Sequence, residues 1–284
     1  MERRLLRVQT ATMVATLLPG VAALFALVFT YASVNQAKTQ LEIARDGHIT
    51  DRYNAAVTNL GARSVDQRIG GIFALQRIMK DSPPDRPAIV RILCAFVREH
   101  APDQGSRITS AVKLDIPTTL AADVSASLEV LRTQSVRRHD AVTVDLHDSA
   151  IRDAYLYGAH LDHANLNYAD LRAADLGRSW LRKAYLWHAD LRGARLRGAR
   201  MEGVHLKGAD LRDADLQGAH LYQAGFEATD LRGTDIRGTD LQGTFHLTAE
   251  QVVSAKPNSR TRLPKAIADD QRVRARIAEV EAQR

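Results

Sequence analysis

Five arginines recur at one fixed interval in the C-terminal half of the chain, and they are its clearest candidates for ligand chemistry. Guanidinium groups bind phosphate and carboxylate through paired hydrogen bonds, so a column of them predicts a stripe that binds anions such as phosphate or lipid headgroups. Four of the five have an aspartate two positions earlier, which equally predicts a surface that neutralises itself. The arginines of this stripe are Arg152, Arg172, Arg192, Arg212 and Arg232.

A second group of residues suits the binding of another protein. Trp180, Tyr185, Trp187 and Asn167 lie within a short stretch of the same region. Exposed Trp and Tyr are enriched at protein interfaces. We therefore expect a partner surface at these four residues, and the alternative is packing against neighbouring segments of the same chain.

Common enzyme motifs are missing from the sequence. It has no GxxxxGK, no GxGxxG in a strand–helix setting and no HExxH. His160 and His220 occupy equivalent positions of the repeat described below. They lie three layers of the predicted coil apart, roughly 14 Å, whereas metal ligation needs bonds of about 2 Å. The single cysteine, Cys94, excludes a disulfide framework and is expected to be buried. We expect no enzyme, no catalytic residue, no metal and no cofactor.

These spacings arise from an unbroken five-residue repeat over residues 144–243. The unit Ala164-Asn165-Leu166-Asn167-Tyr168, for example, is followed by Ala169-Asp170-Leu171-Arg172-Ala173. The central position is Leu in sixteen of twenty units, and the residue two before it is small. A period of five matches neither a strand nor a helix, and self-similarity over this length predicts a solenoid.

A square coil accounts for the repeat. Four units make one turn, and the central and small residues of each unit point inward because a narrow interior cannot hold two large side chains per side. At a strand spacing of ~4.8 Å, the twenty units give five layers and a height of about 24 Å. Nine units end in Gly, at corners where a positive φ is expected. A narrow interior also explains why only 5% of the residues are aromatic.

The unit Ala-(Asp/Asn)-Leu-X-X resembles that of the pentapeptide-repeat family. The resemblance implies an all-β solenoid, a right-handed quadrilateral β-helix, over residues 144–243. It also implies a closing segment in which Thr248 caps a short helix, and a homodimer through the C-terminal tail, because some family members dimerise in this way. Upstream stretches such as Gly70-Gly71-Ile72-Phe73-Ala74-Leu75 are similar to the membrane-linked helical leader of actinobacterial pentapeptide-repeat proteins.

The start of the chain predicts a membrane anchor. No charged residue occurs between Arg7 and Lys38, and residues 11–34 are mostly apolar. At 1.5 Å per residue, this run is long enough to cross a hydrocarbon core of ~30 Å. The alternative is a cleaved signal peptide, whose apolar region is shorter, about 7–15 residues. We expect a single-pass protein of the cell membrane, and the flanking charges do not decide on which side its soluble part lies.

A small helical segment follows the predicted anchor and is expected to act as a spacer. Gly61 marks the end of one helix, and Ser64-Val65-Asp66-Gln67 has the pattern of a capping box that opens the next. The prolines within residues 82–87 separate the second helix from a third. A fourth helix is indicated by Val124, Leu128 and Leu131.

Four parts are therefore expected: an N-terminal tail and anchor (1–37), a helical segment (38–135), the repeat β-helix (144–243) and a capping segment with a helical tail (244–284). The leading hypothesis is a non-enzymatic, membrane-anchored scaffold for an unidentified protein partner. The family resemblance implies an alternative, a DNA mimic that inhibits a topoisomerase. That role needs an acidic rod, whereas the repeats hold 13 basic residues beside 15 acidic ones. Anionic lipid or nucleic-acid binding through the basic segments is a further alternative, and nucleic acid is disfavoured as a partner of the coil.

Overall fold

The computed structural model describes residues 2–101, 120–133 and 143–283. The chain forms two compact units, Met1–Asn54 and Ala55–Arg284. The first unit consists of most of a long helix, α1 (Glu2–Leu60). The second contains the end of that helix, three further helices, the repeat coil and the C-terminal segment.

Helix α1 includes the whole segment predicted to be a membrane anchor. Within the part of the chain that the structure describes, no helix is both long and apolar enough to cross a bilayer. The predicted transmembrane helix, and with it the single-pass location in the cell membrane, is therefore wrong. The helix is not confined to the apolar run on which the prediction rested, since it continues without a break through Asn35, Gln36 and Lys38 to Leu60.

Three helices follow α1 and form a small bundle with its end. They are α2 (Val65–Asp81), α3 (Arg86–His100) and α4 (Ala122–Thr133), with a 3-10 turn at Pro83–Asp85. The backbones of α1 and α2 approach closely at Gly71, where a Cβ would lie 2.7 Å from the carbonyl oxygen of Ala56. Ser64 precedes α2, but its side chain makes no capping hydrogen bond, so the predicted capping box does not form.

From Val144 to Gly243 the chain makes five turns, each built from four repeat units. Asp145 forms a parallel bridge with Asn165, Asn165 forms one with Tyr185, and the same step from turn to turn recurs on all four sides. The described residues form single bridges and no longer strands, because each side of the coil is one repeat unit long. The repeat region is a β-helix solenoid.

The interior of the coil is built as predicted. All twenty central residues and all twenty small residues are at most 4% exposed. The few hydroxyls among them donate hydrogen bonds to backbone carbonyls, as Ser149 does to Leu146 and Thr234 to Leu211. Every unit ends in a positive φ, and eleven of these corners are not glycine; Lys183, for instance, has φ 54°. Such corners cost on the order of 1 kcal/mol each, which the buried column offsets.

The first layer of the coil is covered by the helical bundle, so these helices cap the coil in addition to preceding it. The backbone N–H of Ala150 donates to the carbonyl of Ala101, just after α3, at 2.6 Å. Arg98 donates to the carbonyl of Asp145 at 2.5 Å and lies 3.3 Å from its carboxylate. On α4, the guanidinium of Arg132 lies 5.2 Å from the ring centre of Tyr155.

An incomplete sixth layer closes the other end. Phe245, Lys256 and Arg262 form bridges to the fifth layer. Between the first two lies α5 (Ala249–Ser254), which begins with the predicted Thr248 cap, completed by Gln251 as a capping box.

The C-terminal tail forms two short helices, α6 (Lys265–Ala268) and α7 (Gln271–Ala282), and α7 packs against α5. Val273 and Val280 of α7 are buried within the chain. The homodimer through this tail stays a prediction.

Candidate functional site

The arginine stripe is bound to a column of aspartates along one side of the coil. Arg172 donates to both carboxylate oxygens of Asp170, at 2.9 and 2.8 Å. The same bidentate pairing recurs in the next three layers, in the pairs Arg192–Asp190, Arg212–Asp210 and Arg232–Asp230. The first layer has Ala150 in place of the aspartate, and Arg152 bonds instead to Asp170 of the second layer.

Asp170 therefore accepts hydrogen bonds from two arginines, and it is only 4% exposed. Burial alone would raise the pKa of this carboxyl, but the bonds from Arg172 and Arg152 outweigh it and hold the pKa below its ordinary value. The pKa of Asp210 is lowered in the same way, against burial, by Arg212. An external anion would have to compete with these carboxylates, so the geometry favours a self-neutralised surface over an anion site.

A neighbouring side of the coil carries exposed aromatic residues. Tyr185 and Trp187 flank the buried Leu186 and are 39% and 41% exposed. The ring of Tyr185 stacks on that of His205 in the next layer, with centroids 4.8 Å apart and planes 8° apart, and meets Trp187 edge-on at 5.9 Å. Phe245, in the sixth layer, is 57% exposed. We name Tyr185, Trp187, His205 and Phe245 the aromatic strip.

The other two residues predicted for this surface have different roles. The side-chain oxygen of Asn167 accepts a hydrogen bond from the backbone N–H of Trp187 at 2.8 Å, so Asn167 positions the strip. Trp180 lies on the preceding side of the coil. Its ring lies 5.2 Å from that of His160 in the layer before, and the guanidinium of Arg200 in the layer after lies 4.4 Å from its centre.

Two members of the aromatic strip, His205 and Phe245, were not among the predicted site residues. Both occupy the same position as Tyr185 in later turns of the coil. The 20-residue spacing of these positions is the sequence signal that identifies them. Phe245 was missed because it follows the last repeat unit. A shallow cavity of about 290 Å³ lies between Trp187, His205, Gly225 and Phe245.

Metal binding and thiol chemistry find no support in the described part of the chain. No cluster of His, Cys, Asp and Glu there could hold a metal ion. Cys94 is buried within α3, and burial raises the pKa of its thiol to about 11. A thiol in that state is a poor nucleophile.

The fold is a repeat solenoid closed at both ends, and its repeat unit defines its class. Pentapeptide repeats match in eight copies over residues 144–178, 169–208 and 209–245. The chain belongs to the pentapeptide-repeat family.

Several solved structures are similar to part of this chain. A pentapeptide repeat protein from the thylakoid lumen of Arabidopsis thaliana is 24% identical over 37% of this chain and 72% of its own, with a TM-score of 0.30. One from Nostoc is 30% identical over 36% and 74%, with a TM-score of 0.20. QnrB1, a plasmid-mediated fluoroquinolone resistance protein, is 17% identical over 48% and 81%, with a TM-score of 0.23. A comparison with curated protein sequences found no match.

Proposed function

We propose that this protein is a non-enzymatic scaffold that binds another protein through the aromatic strip. A coil of stacked layers holds its outward side chains at fixed spacing, and both ends of this coil are closed. Such a surface loses little conformational freedom when a partner binds, which favours affinity.

The observation that supports this proposal is the combination of exposure and order at Trp187 and Tyr185. Both rings are about two-fifths exposed, yet contacts with each other and with His205 hold them in place. Large aromatic side chains that are ordered before binding are typical centres of protein interfaces. The arginine side of the coil, by contrast, has its charged groups engaged with one another.

A DNA mimic is less well supported. That role requires a continuous acidic surface resembling duplex phosphate, whereas the aspartates at 170, 190, 210 and 230 each bond to an arginine. Binding of anionic lipid or nucleic acid by the basic segments would show a steep dependence on salt.

The test is capture of a partner from a lysate of the source organism, compared between variants. The wild-type chain and a Tyr222→Ser control, which removes a tyrosine of similar or greater exposure from another side, should retain the same protein. The double variant Tyr185→Ser/Trp187→Ser should lose it, and the purified partner should bind the wild type at least tenfold more tightly than the double variant. Equal binding to all three chains would refute the proposal.

A further inference from the structure

The column of side chains that includes Tyr185 has one layer without a side chain. Tyr185, His205, Gly225 and Phe245 occupy the same position in four successive layers, each joined to the next by a parallel bridge. The first two rings stack on each other, and the fourth residue supplies another ring. Gly225 thus interrupts a stack of rings.

The backbone does not explain the glycine at this position. Gly225 lies outside the left-handed region, so it is not needed for its conformation. A Cβ here would lie 4.0 Å from its nearest neighbour, the carbonyl oxygen of Val204, which is ordinary contact. A Cβ is accommodated at this position, so local sterics do not require glycine, and its effect is to leave the space above it open.

This open layer is a slot of defined width. Two layer steps of ~4.8 Å separate the backbones of His205 and Phe245 by about 10 Å, which allows one flat ring between their side chains at the spacing already seen between Tyr185 and His205. The slot is part of the cavity of about 290 Å³ that Trp187 also lines. This volume is at the lower end of the range of about 300–1,000 Å³ that is usual for small-molecule sites, and it is sufficient for a single aromatic side chain.

The charges at the rim favour an uncharged occupant. The ammonium of Lys207 and the carboxylate of Glu227 pair at 2.9 Å beside the slot. Glu227 is ionised near neutral pH, and the hydrogen bond from Lys207 lowers the pKa of this carboxylate further, so the two charges of the pair compensate each other. A phosphate would have to compete with Glu227 for the ammonium of Lys207, and a guanidinium would have to compete with Lys207 for the carboxylate of Glu227. A neutral ring that stacks is complementary to the slot.

We propose that the slot at Gly225 receives an aromatic side chain (Trp, Tyr or Phe) of a protein partner, stacked between His205 and Phe245. This proposal rests on the scaffold function above and names the partner's chemistry. The inserted ring would complete the stack that begins at Tyr185, and Trp187 would border its edge.

The test uses N-acetyl-tryptophan amide as the probe and the full chain as the receptor, followed by NMR of the histidine and phenylalanine ring protons. The wild type should show saturable shifts with a dissociation constant on the order of 1 mM. Gly225→Tyr fills the slot from within and should weaken binding at least tenfold without lowering the Tm. Arg195→Tyr places a tyrosine at the same unit position on another side and should bind like the wild type. No saturable shift in the wild type, or undiminished binding by a folded Gly225→Tyr, would overturn the proposal.

Two further measurements separate the alternatives. Adenosine binding more tightly than the tryptophan probe would assign the slot to a nucleobase and overturn the assignment to a protein side chain. In the partner-capture experiment, Gly225→Tyr should lose the partner as Tyr185→Ser/Trp187→Ser does. If Gly225→Tyr keeps the partner while the double variant loses it, the slot is refuted and the scaffold function stands.

Discussion

Arg172 and Asp190 belong to successive turns of the coil, yet Nε of the arginine lies 3.5 Å from Oδ2 of the aspartate. Arg172 also makes two hydrogen bonds within its own turn, to Asp170. Each arginine of the stripe except the last thus connects two layers, and the pairs form one network. Networks are the setting in which ion pairs near the surface contribute measurably to stability.

Asp170→Asn should destabilise the coil more than any other single neutralisation in this network. Asp170 is almost fully buried and bonds to both Arg152 and Arg172, so the variant leaves two guanidiniums with a weaker acceptor. We expect a loss of about 1.5–3 kcal/mol, the usual range for hydrogen bonds to charged groups. Urea unfolding measures it. Asp240→Asn, whose partner Arg262 is largely exposed, is the control and should cost less than about 1 kcal/mol; equal costs would contradict this account.

Acid should weaken the coil in a defined pH range. The pKa values of Asp170, Asp210, Asp230 and Asp235 all lie below that of an unfolded aspartate. Their contribution is complete above the unfolded value of about 3.9 and is lost as the pH falls through the lower folded values. We expect a nearly constant free energy of unfolding between pH 7 and about 5 and a decline below about 4. The free energy of unfolding of Asp170→Asn should decline less steeply with falling pH than that of the wild type. Identical slopes for the two proteins would contradict the contribution of Asp170 to this decline.

Neutralising two aspartates should turn the arginine stripe into an anion site. In Asp190→Asn/Asp210→Asn the guanidiniums of Arg192 and Arg212 lose their strongest acceptors and become available to sulfate or phosphate. We expect at least tenfold tighter sulfate binding than in the wild type, measured by calorimetry. Asp175→Asn/Asp215→Asn changes the net charge equally on another side and should show little gain. If the wild type binds sulfate as tightly as the first variant, the stripe is an anion site in its native form.

The sequence was sufficient to predict the coil because one local rule, a small residue two before a large one, repeats in every unit and dictates which side chains point inward. It could not predict the ends. The contact of Arg98 with Asp145 joins a helix to the coil across 47 positions, and no periodicity encodes it. The sixth layer pairs Asp235 with Lys256 and Asp240 with Arg262. A period of 20 would pair these aspartates with residues 255 and 260, so the observed partners lie one and two positions further along the chain. The pairing in the sixth layer therefore departs from the register of the repeat.

The partner surface was predicted in part. Tyr185 and Trp187 meet because they flank one buried centre, which the repeat implies. Trp180 is close to them in sequence, but a corner of the coil intervenes, and its ring contacts residues one layer away on its own side. In a solenoid, residues on one side of the coil meet within a layer or between successive layers, whereas a corner separates residues that are close along the chain. The membrane anchor was inferred from the uncharged, mostly apolar interval between Arg7 and Lys38, and it is overturned because no helix in the described part of the chain is both long and apolar enough to cross a bilayer.

A charge in the interior of the coil should abolish the fold. Leu191 is fully buried in the third layer, and Leu191→Asp would place a carboxylate where no water or partner can reach it. We expect loss of the far-UV β signal, whereas Leu191→Ala should remain folded with a loss of about 2–5 kcal/mol. A monomeric, fully folded Leu191→Asp would refute the inward orientation of the column.

Cys94 should report on whether the helical bundle closes the first layer. Burial raises its pKa to about 11, so about one thiol in a thousand is ionised at pH 8. A soluble disulfide reagent should therefore label the native protein far more slowly than the unfolded chain. Arg98→Ala removes the hydrogen bond to the Asp145 carbonyl and should raise the native labelling rate about tenfold, because loosening this contact lets the bundle open more often. Arg91→Ala, an exposed position on the same helix, should leave the rate unchanged. Equal rates for the two variants would mean that α3 does not hold the coil closed at this end.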